Sequence, residues 1–133
     1  MRGLDTNVLI RYLLRDDLRQ ARAAKRAIER AISAGEPLII SLLAVLETEW
    51  VLRARASLDK ATILSAFRQL LESRDIQFEN ESAIEQALYD FENSNADFAD
   101  CLMIAQYRHL GCATMLTFDV RAARVPGGEL LIG

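Results

Sequence analysis

Short apolar runs of strand length alternate with longer amphipathic runs along this chain, and that alternation limits the folds open to it. Pro37-Leu38-Ile39-Ile40-Ser41 is the clearest short run. It has the length of a buried strand and ends on a serine suited to cap the helix that follows, from Leu42 through Leu52. Upstream, Arg2–Leu4 predicts a first strand with Asp5 at its C-terminal end, then a helix over Thr6 to Leu14. Asp16-Asp17 opens a second helix running to Ala34 and closed by Gly35. Downstream, helices are predicted over Asp59–Ser73, over Glu81–Phe91, and from Phe98 to near Gly111. Asp75–Glu79 predicts a short strand, and Ala113–Phe118 a buried strand with Asp119 at its end. The Pro126-Gly127-Gly128 turn leads into a last strand, Leu130–Ile132. Strands alternating with helices in this way give an α/β fold: a three-layer α/β/α sandwich whose central, mainly parallel sheet is covered on both sides.

At 133 residues, 51% of them hydrophobic, the chain has the size of one domain, residues 1–133, with material for a proper core. A net charge of −3 excludes a uniformly basic nucleic-acid binder. The charge is uneven, however. Residues 1–60 carry eleven Lys/Arg and eight Asp/Glu, while residues 61–133 carry five and eleven. That split permits an acidic site beside a basic approach surface. Cys101 and Cys112 lack the spacing of a zinc site. The longest apolar run, Pro37 to Leu46, is too short to span a bilayer, and nothing resembles a signal peptide. A soluble, cytoplasmic protein is expected.

The stretch Asp97-Phe98-Ala99-Asp100-Cys101-Leu102-Met103-Ile104-Ala105 stands out because Asp100 interrupts a run that is otherwise apolar or small. Burying a carboxylate there is costly unless a cation or several donors meet it, and Arg108 is two helical turns away. Asp97 takes the position of a helix N-cap, where its side chain is expected to accept backbone N–H groups. Glu47 repeats the pattern, an acid in the early turns of an apolar helix. Glu49 is turned well away from Glu47 and is expected to face elsewhere. Trp50 reads as core, and His109 as a surface residue at a helix C-terminus. Arg19, Arg22, Lys25, Arg26 and Arg30 recur along one side of the second helix, which reads as a solvated face.

In open α/β sheets, ligands bind outside the carboxyl ends of the strands. Asp5 and Asp119 follow strands directly, and Glu47 and Asp100 sit in early helical turns. Four acids from four elements therefore point to one edge. Carboxylates drawn together repel unless a counter-ion joins them, and all-oxygen ligation favours Mg2+ or Mn2+. Such an ion suits phosphodiester hydrolysis.

Four segments carry a resemblance to a known family. They are Leu4-Asp5-Thr6-Asn7-Val8-Leu9-Ile10-Arg11-Tyr12-Leu13, Glu47-Thr48-Glu49-Trp50-Val51-Leu52, the Asp97–Ala105 stretch, and Leu116-Thr117-Phe118-Asp119. In this order the chain resembles the PIN-domain ribonucleases, especially the VapC-like toxins of prokaryotic toxin–antitoxin pairs. The resemblance implies that Asp5, Glu47 and Asp100 are the principal metal-site acids and Asp119 a more variable fourth. It places Asp97, Thr6, Asn7 and Thr117 around them as supporting residues. It further implies cleavage of RNA with Mg2+ or Mn2+, a homodimer, and restraint by a cognate antitoxin protein. The apolar positions Val8, Leu9, Tyr12, Leu13, Leu43, Leu46, Trp50 and Leu64 would supply the dimer contact and an antitoxin groove. A phosphohydrolase of the haloacid dehalogenase type also begins with an Asp after a strand, but wants a second Asp where this chain has Asn7. A catalytically silent binding module of the same fold would be expected to have lost an acid, and all four are present.

Overall fold

The structure is a computed structural model that describes residues 1–14 and 16–133. The chain forms two compact units, Met1–Glu79 and Asn80–Gly133.

In the first unit, β1 (Arg2–Gly3), β2 (Leu38–Ile40) and β3 (Ile76–Phe78) form a parallel sheet in that order. Leu38 faces Ile76 in register and Ile40 faces Phe78, all four buried. Four helices accompany the sheet: α1 (Thr6–Leu14), α2 (Leu18–Ser33), α3 (Leu42–Ala54) and α4 (Lys60–Glu72). The starts of α2, α3 and α4 are set by short polar side chains. Asp17 accepts a hydrogen bond from the Gln20 N–H, Ser41 from Ala44 and Asp59 from Thr62. Gly35 ends the α2 region at φ +67°, a left-handed conformation that an L side chain adopts only with strain. The unit's core includes Leu9, Ile28, Val45, Leu52, Ile63 and Phe67.

The second unit opens with a helix pair, α5 (Glu81–Glu92) and α6 (Phe98–His109). Ile84, Ala87 and Leu88 of α5 and Cys101, Ile104 and Ala105 of α6 are buried. The Phe91 and Phe98 rings meet edge to face, with centroids 5.6 Å apart. A two-stranded parallel sheet follows, β4 (Met115–Thr117) with β5 (Gly128–Leu130), joined through the short helix α7 (Val120–Ala123). Gly128 is required at this crossing, since a Cβ there would collide with the Ala122 carbonyl oxygen and crowd Ala123.

The fold class is the expected α/β, and the pairs β1–β2, β2–β3 and β4–β5 are parallel. Several local expectations are corrected. The Ala113–Phe118 segment was expected to be buried, yet Leu116 is 59% exposed and Phe118 74%. Alternation turns Leu116 to the face opposite its neighbours Met115 and Thr117. The last strand is Gly128–Leu130 rather than Leu130–Ile132, because pairing with β4 begins at Met115 opposite Gly128. Trp50 is 46% exposed and lies under the Arg55 guanidinium, 5.3 Å from the ring centroid. It falls on the side of α3 away from Val45 and Leu52. Leu9 and Leu64, expected to contribute to a partner surface, are buried, whereas Leu43 is exposed. Among the described residues, no helix is long and apolar enough to cross a membrane.

Candidate active site

The first unit presents its acids at the carboxyl edge of the β1–β2–β3 sheet. Asp5 follows β1 by two residues, and its carbonyl accepts the Leu9 N–H that opens α1. Its exposed carboxylate makes no hydrogen bond or ion pair within the described part of this unit. Thr6 is buried beside it in sequence, and Asn7 is exposed on the first turn. Glu47 is exposed on the same side of α3 as Leu43 and Trp50. Glu79, which the sequence reading passed over, follows β3 and accepts the Leu42 N–H at 2.8 Å. It therefore caps α3 together with Ser41. An acid placed directly after a strand was the available signal.

The pair Glu47 and Glu49 divides as its helical spacing requires. Glu49 faces the interior, 2% exposed, and accepts a hydrogen bond from Arg53 Nε at 3.0 Å. A partner one turn along its own helix answers this buried charge, so Glu49 has a structural occupation.

In the second unit the charges of two acids bear on a third. Asp100, half-buried on the first turn of α6, has its pKa raised by burial, then by the charges of Asp119 and Asp97. Asp119 is held from two sides. Thr117 Oγ1 accepts the Asp119 N–H at 3.0 Å, while Asp119 Oδ1 accepts the N–H groups of Arg121 and Ala122. These amides, of Ala122 first and Arg121 second, lower the Asp119 pKa despite some burial, and the Arg121 charge adds to them. Asp119 thus caps α7 through one oxygen, which leaves Oδ2 outside the capping arrangement. Thr117, expected as a supporting residue, touches Asp119 through the Asp119 backbone N–H. Asp97 has the backbone of an N-cap but makes no side-chain capping bond, contrary to expectation. Its carboxylate is exposed instead, and its charge bears on Asp100.

Among the described residues, no three His, Cys, Asp or Glu side chains form a ready metal cage. The donor chemistry in the second unit nonetheless fits a hard divalent cation. Such an ion uses one or two carboxylates and keeps several waters, and it would relieve the repulsion at Asp100. Cys101 is buried and Cys112 exposed, both as free thiols.

Parallel strands, helical crossovers and carboxylates placed after strands or at helix starts define an α/β protein with acids at both kinds of position. The chain matches the PIN domain family over residues 4–128, and it belongs to that family. PIN domains are usually metal-dependent nucleases that use divalent ions. No curated protein matches the chain.

Proposed function

We propose that this chain is a Mg2+- or Mn2+-dependent ribonuclease, the toxin of a toxin–antitoxin pair, acting in the cytoplasm. Asp5, Glu47, Asp100 and Asp119 are its catalytic acids, with Asp5, Asp100 and Asp119 as metal ligands. The reading is carried by Asp100, a half-buried carboxylate on which burial and the charges of two acids, Asp119 and Asp97, all bear in the same sense. When bound, the metal supplies an activated water and a clamp on a phosphate oxygen. The chain's own residues prepare the site for it. Thr117 and the α7 amides hold Asp119 in one orientation. Asn7, exposed at the start of α1, offers an amide that can donate to a phosphate or ribose oxygen. Asp97 adds negative charge without being tied to the helix end.

A homodimer and a cognate antitoxin complete the proposal. The exposed Leu43 and Trp50 and the half-buried Leu46 support an apolar partner surface on α3. The test is incubation of purified protein with a panel of tRNAs and rRNA fragments, with Mg2+ or Mn2+ and with EDTA. Cleavage is expected with either ion, and is expected to disappear with EDTA and in Asp100→Asn. No cleavage of any RNA with either ion would overturn the nuclease reading.

A further inference from the structure

The solvent side of α2 carries Arg19, Arg22, Arg26 and Arg30, all exposed. At 100° and 1.5 Å per residue they fall within an arc of roughly 80° and along roughly 16 Å of helix. Ala21, Ala24, Ile28 and Ala31 face the core on the opposite side. The acids nearest in sequence already have other partners. Asp16 pairs with Arg11 at 2.9 Å, Asp17 caps α2, and Glu29 lies 3.9 Å from Lys25. No ion pair engages the four arginines among the described residues. Arg22–Arg26 and Arg26–Arg30 are like-charge pairs at i,i+4, which weaken a helix. A face needed only for solubility is served as well by mixed charges. An uninterrupted cationic row therefore matches an anionic chain.

The row also has a direction. Arg11 Nε donates to Gln20 Oε1 at 2.6 Å, joining the later turns of α1 to the first turn of α2. The later turns of α2 consequently lie toward the start of α1. A cavity of about 370 Å3 between the helices is lined by Asn7, Val8 and Arg11 and by Gln20, Ala24 and Ala27. Arg26 and Arg30 are thus at the end of α2 nearer to Asp5, Thr6 and Asn7.

We propose that the arginine row of α2 is a docking surface for the RNA backbone, holding substrate beside the Asp5 end of α1. This rests on the ribonuclease reading, and the experiment separates the two. A fluorescein-labelled single-stranded RNA is titrated with the full chain in EDTA, so that nothing is cut, and anisotropy is followed at several KCl concentrations. Arg22→Gln/Arg26→Gln is expected to bind more weakly, and its plot of log affinity against log salt to flatten by roughly 1.4, for two lost phosphate contacts. Arg22→Lys/Arg26→Lys keeps the charge and is expected to keep the slope, while Arg74→Gln, an exposed arginine outside the row, changes neither. An unaltered slope in the glutamine variant overturns the proposal, as does displacement of the RNA by poly-glutamate at matched charge. Wild-type cleavage in Mn2+ is measured in parallel. RNA cut with an unaltered slope in the variant overturns the docking surface alone. A flattened slope with no cutting by the wild type upholds the docking surface and overturns the nuclease reading.

Discussion

The starts of α3 and α6 look alike in sequence and behave differently in the fold. Each places two carboxylates among apolar residues, Glu47 and Glu49 in one, Asp97 and Asp100 in the other. In α3 the acid that goes inside, Glu49, meets Arg53 on its own helix, while Glu47 stays in solvent. In α6 the acid that goes partly inside, Asp100, feels the like charges of Asp119 and Asp97. A buried carboxylate with a cation is part of the scaffold. One pressed by like charges is held at a cost to stability, and such a cost points to function.

The sharpest way to break this contrast is Asp100→Asn. RNA cleavage with Mn2+ is expected to fall by roughly a hundredfold or more, with the circular dichroism spectrum unchanged. Cleavage near the wild-type rate would make Asp100 a scaffold residue like Glu49.

Arg53→Ala is the converse experiment. It leaves the Glu49 charge buried and is expected to cost about 2 kcal/mol in urea unfolding, less than a fully enclosed pair because Arg53 is half exposed. Cleavage per folded molecule is expected to hold. A stable variant without activity would place Glu49 in the chemistry.

A pH series sharpens the contrast further. The folded pKa of Asp100 lies above the ordinary value of 3.8. Between those two values the folded chain binds more protons than the unfolded one, so metal-free stability contributed by Asp100 falls as pH rises through that interval. The lowered pKa values of Asp16, Asp59 and Asp119 act in the opposite sense. Their contribution is present above 3.8 and lost as pH falls through the lowered values. The difference between wild-type and Asp100→Asn melting curves across pH isolates the Asp100 part. It is expected to favour the variant increasingly as pH rises, and Mn2+ is expected to close the gap. A pH-independent difference would remove the repulsion argument.

The smallest effect is expected from Asp97→Asn. Since Asp97 makes no capping bond, stability is expected to change by less than about 0.5 kcal/mol, the usual range for exposed substitutions. The Mn2+ concentration for half-maximal cleavage is expected to rise while the saturated rate is kept. Inactivity at saturating Mn2+ would exchange the roles of Asp97 and Asp100.

The sequence by itself determined what depends on residues three or four apart. Asp17 and Ser41 cap the helices they were expected to open, Asp59 caps the helix predicted to begin at it, and the left-handed Gly35 and Gly111 stand just beyond α2 and α6. The α/β alternation was legible for the same reason, because the period of apolar residues is written along each segment. Asp5, Glu47 and Asp100, with Asp119 as a more variable fourth, were legible only as positions of motifs, and their roles stand as a proposal. Only the tertiary structure decided the outcomes that depend on what packs across a helix or strand. It took Glu49 inside and left Glu47 and Trp50 in solvent, a choice between faces of α3 that a mixed apolar pattern on both sides did not make. It left Leu116 and Phe118 exposed on an apolar strand, because burial needs a covering layer as well as an apolar side chain. It also freed Asp97 from the capping bond its position predicts and gave a cap to Asp119, which orders the short helix α7 that no periodicity announced. Hydrogen bonds to neighbours are encoded locally, whereas burial and charge coupling are properties of the assembled fold.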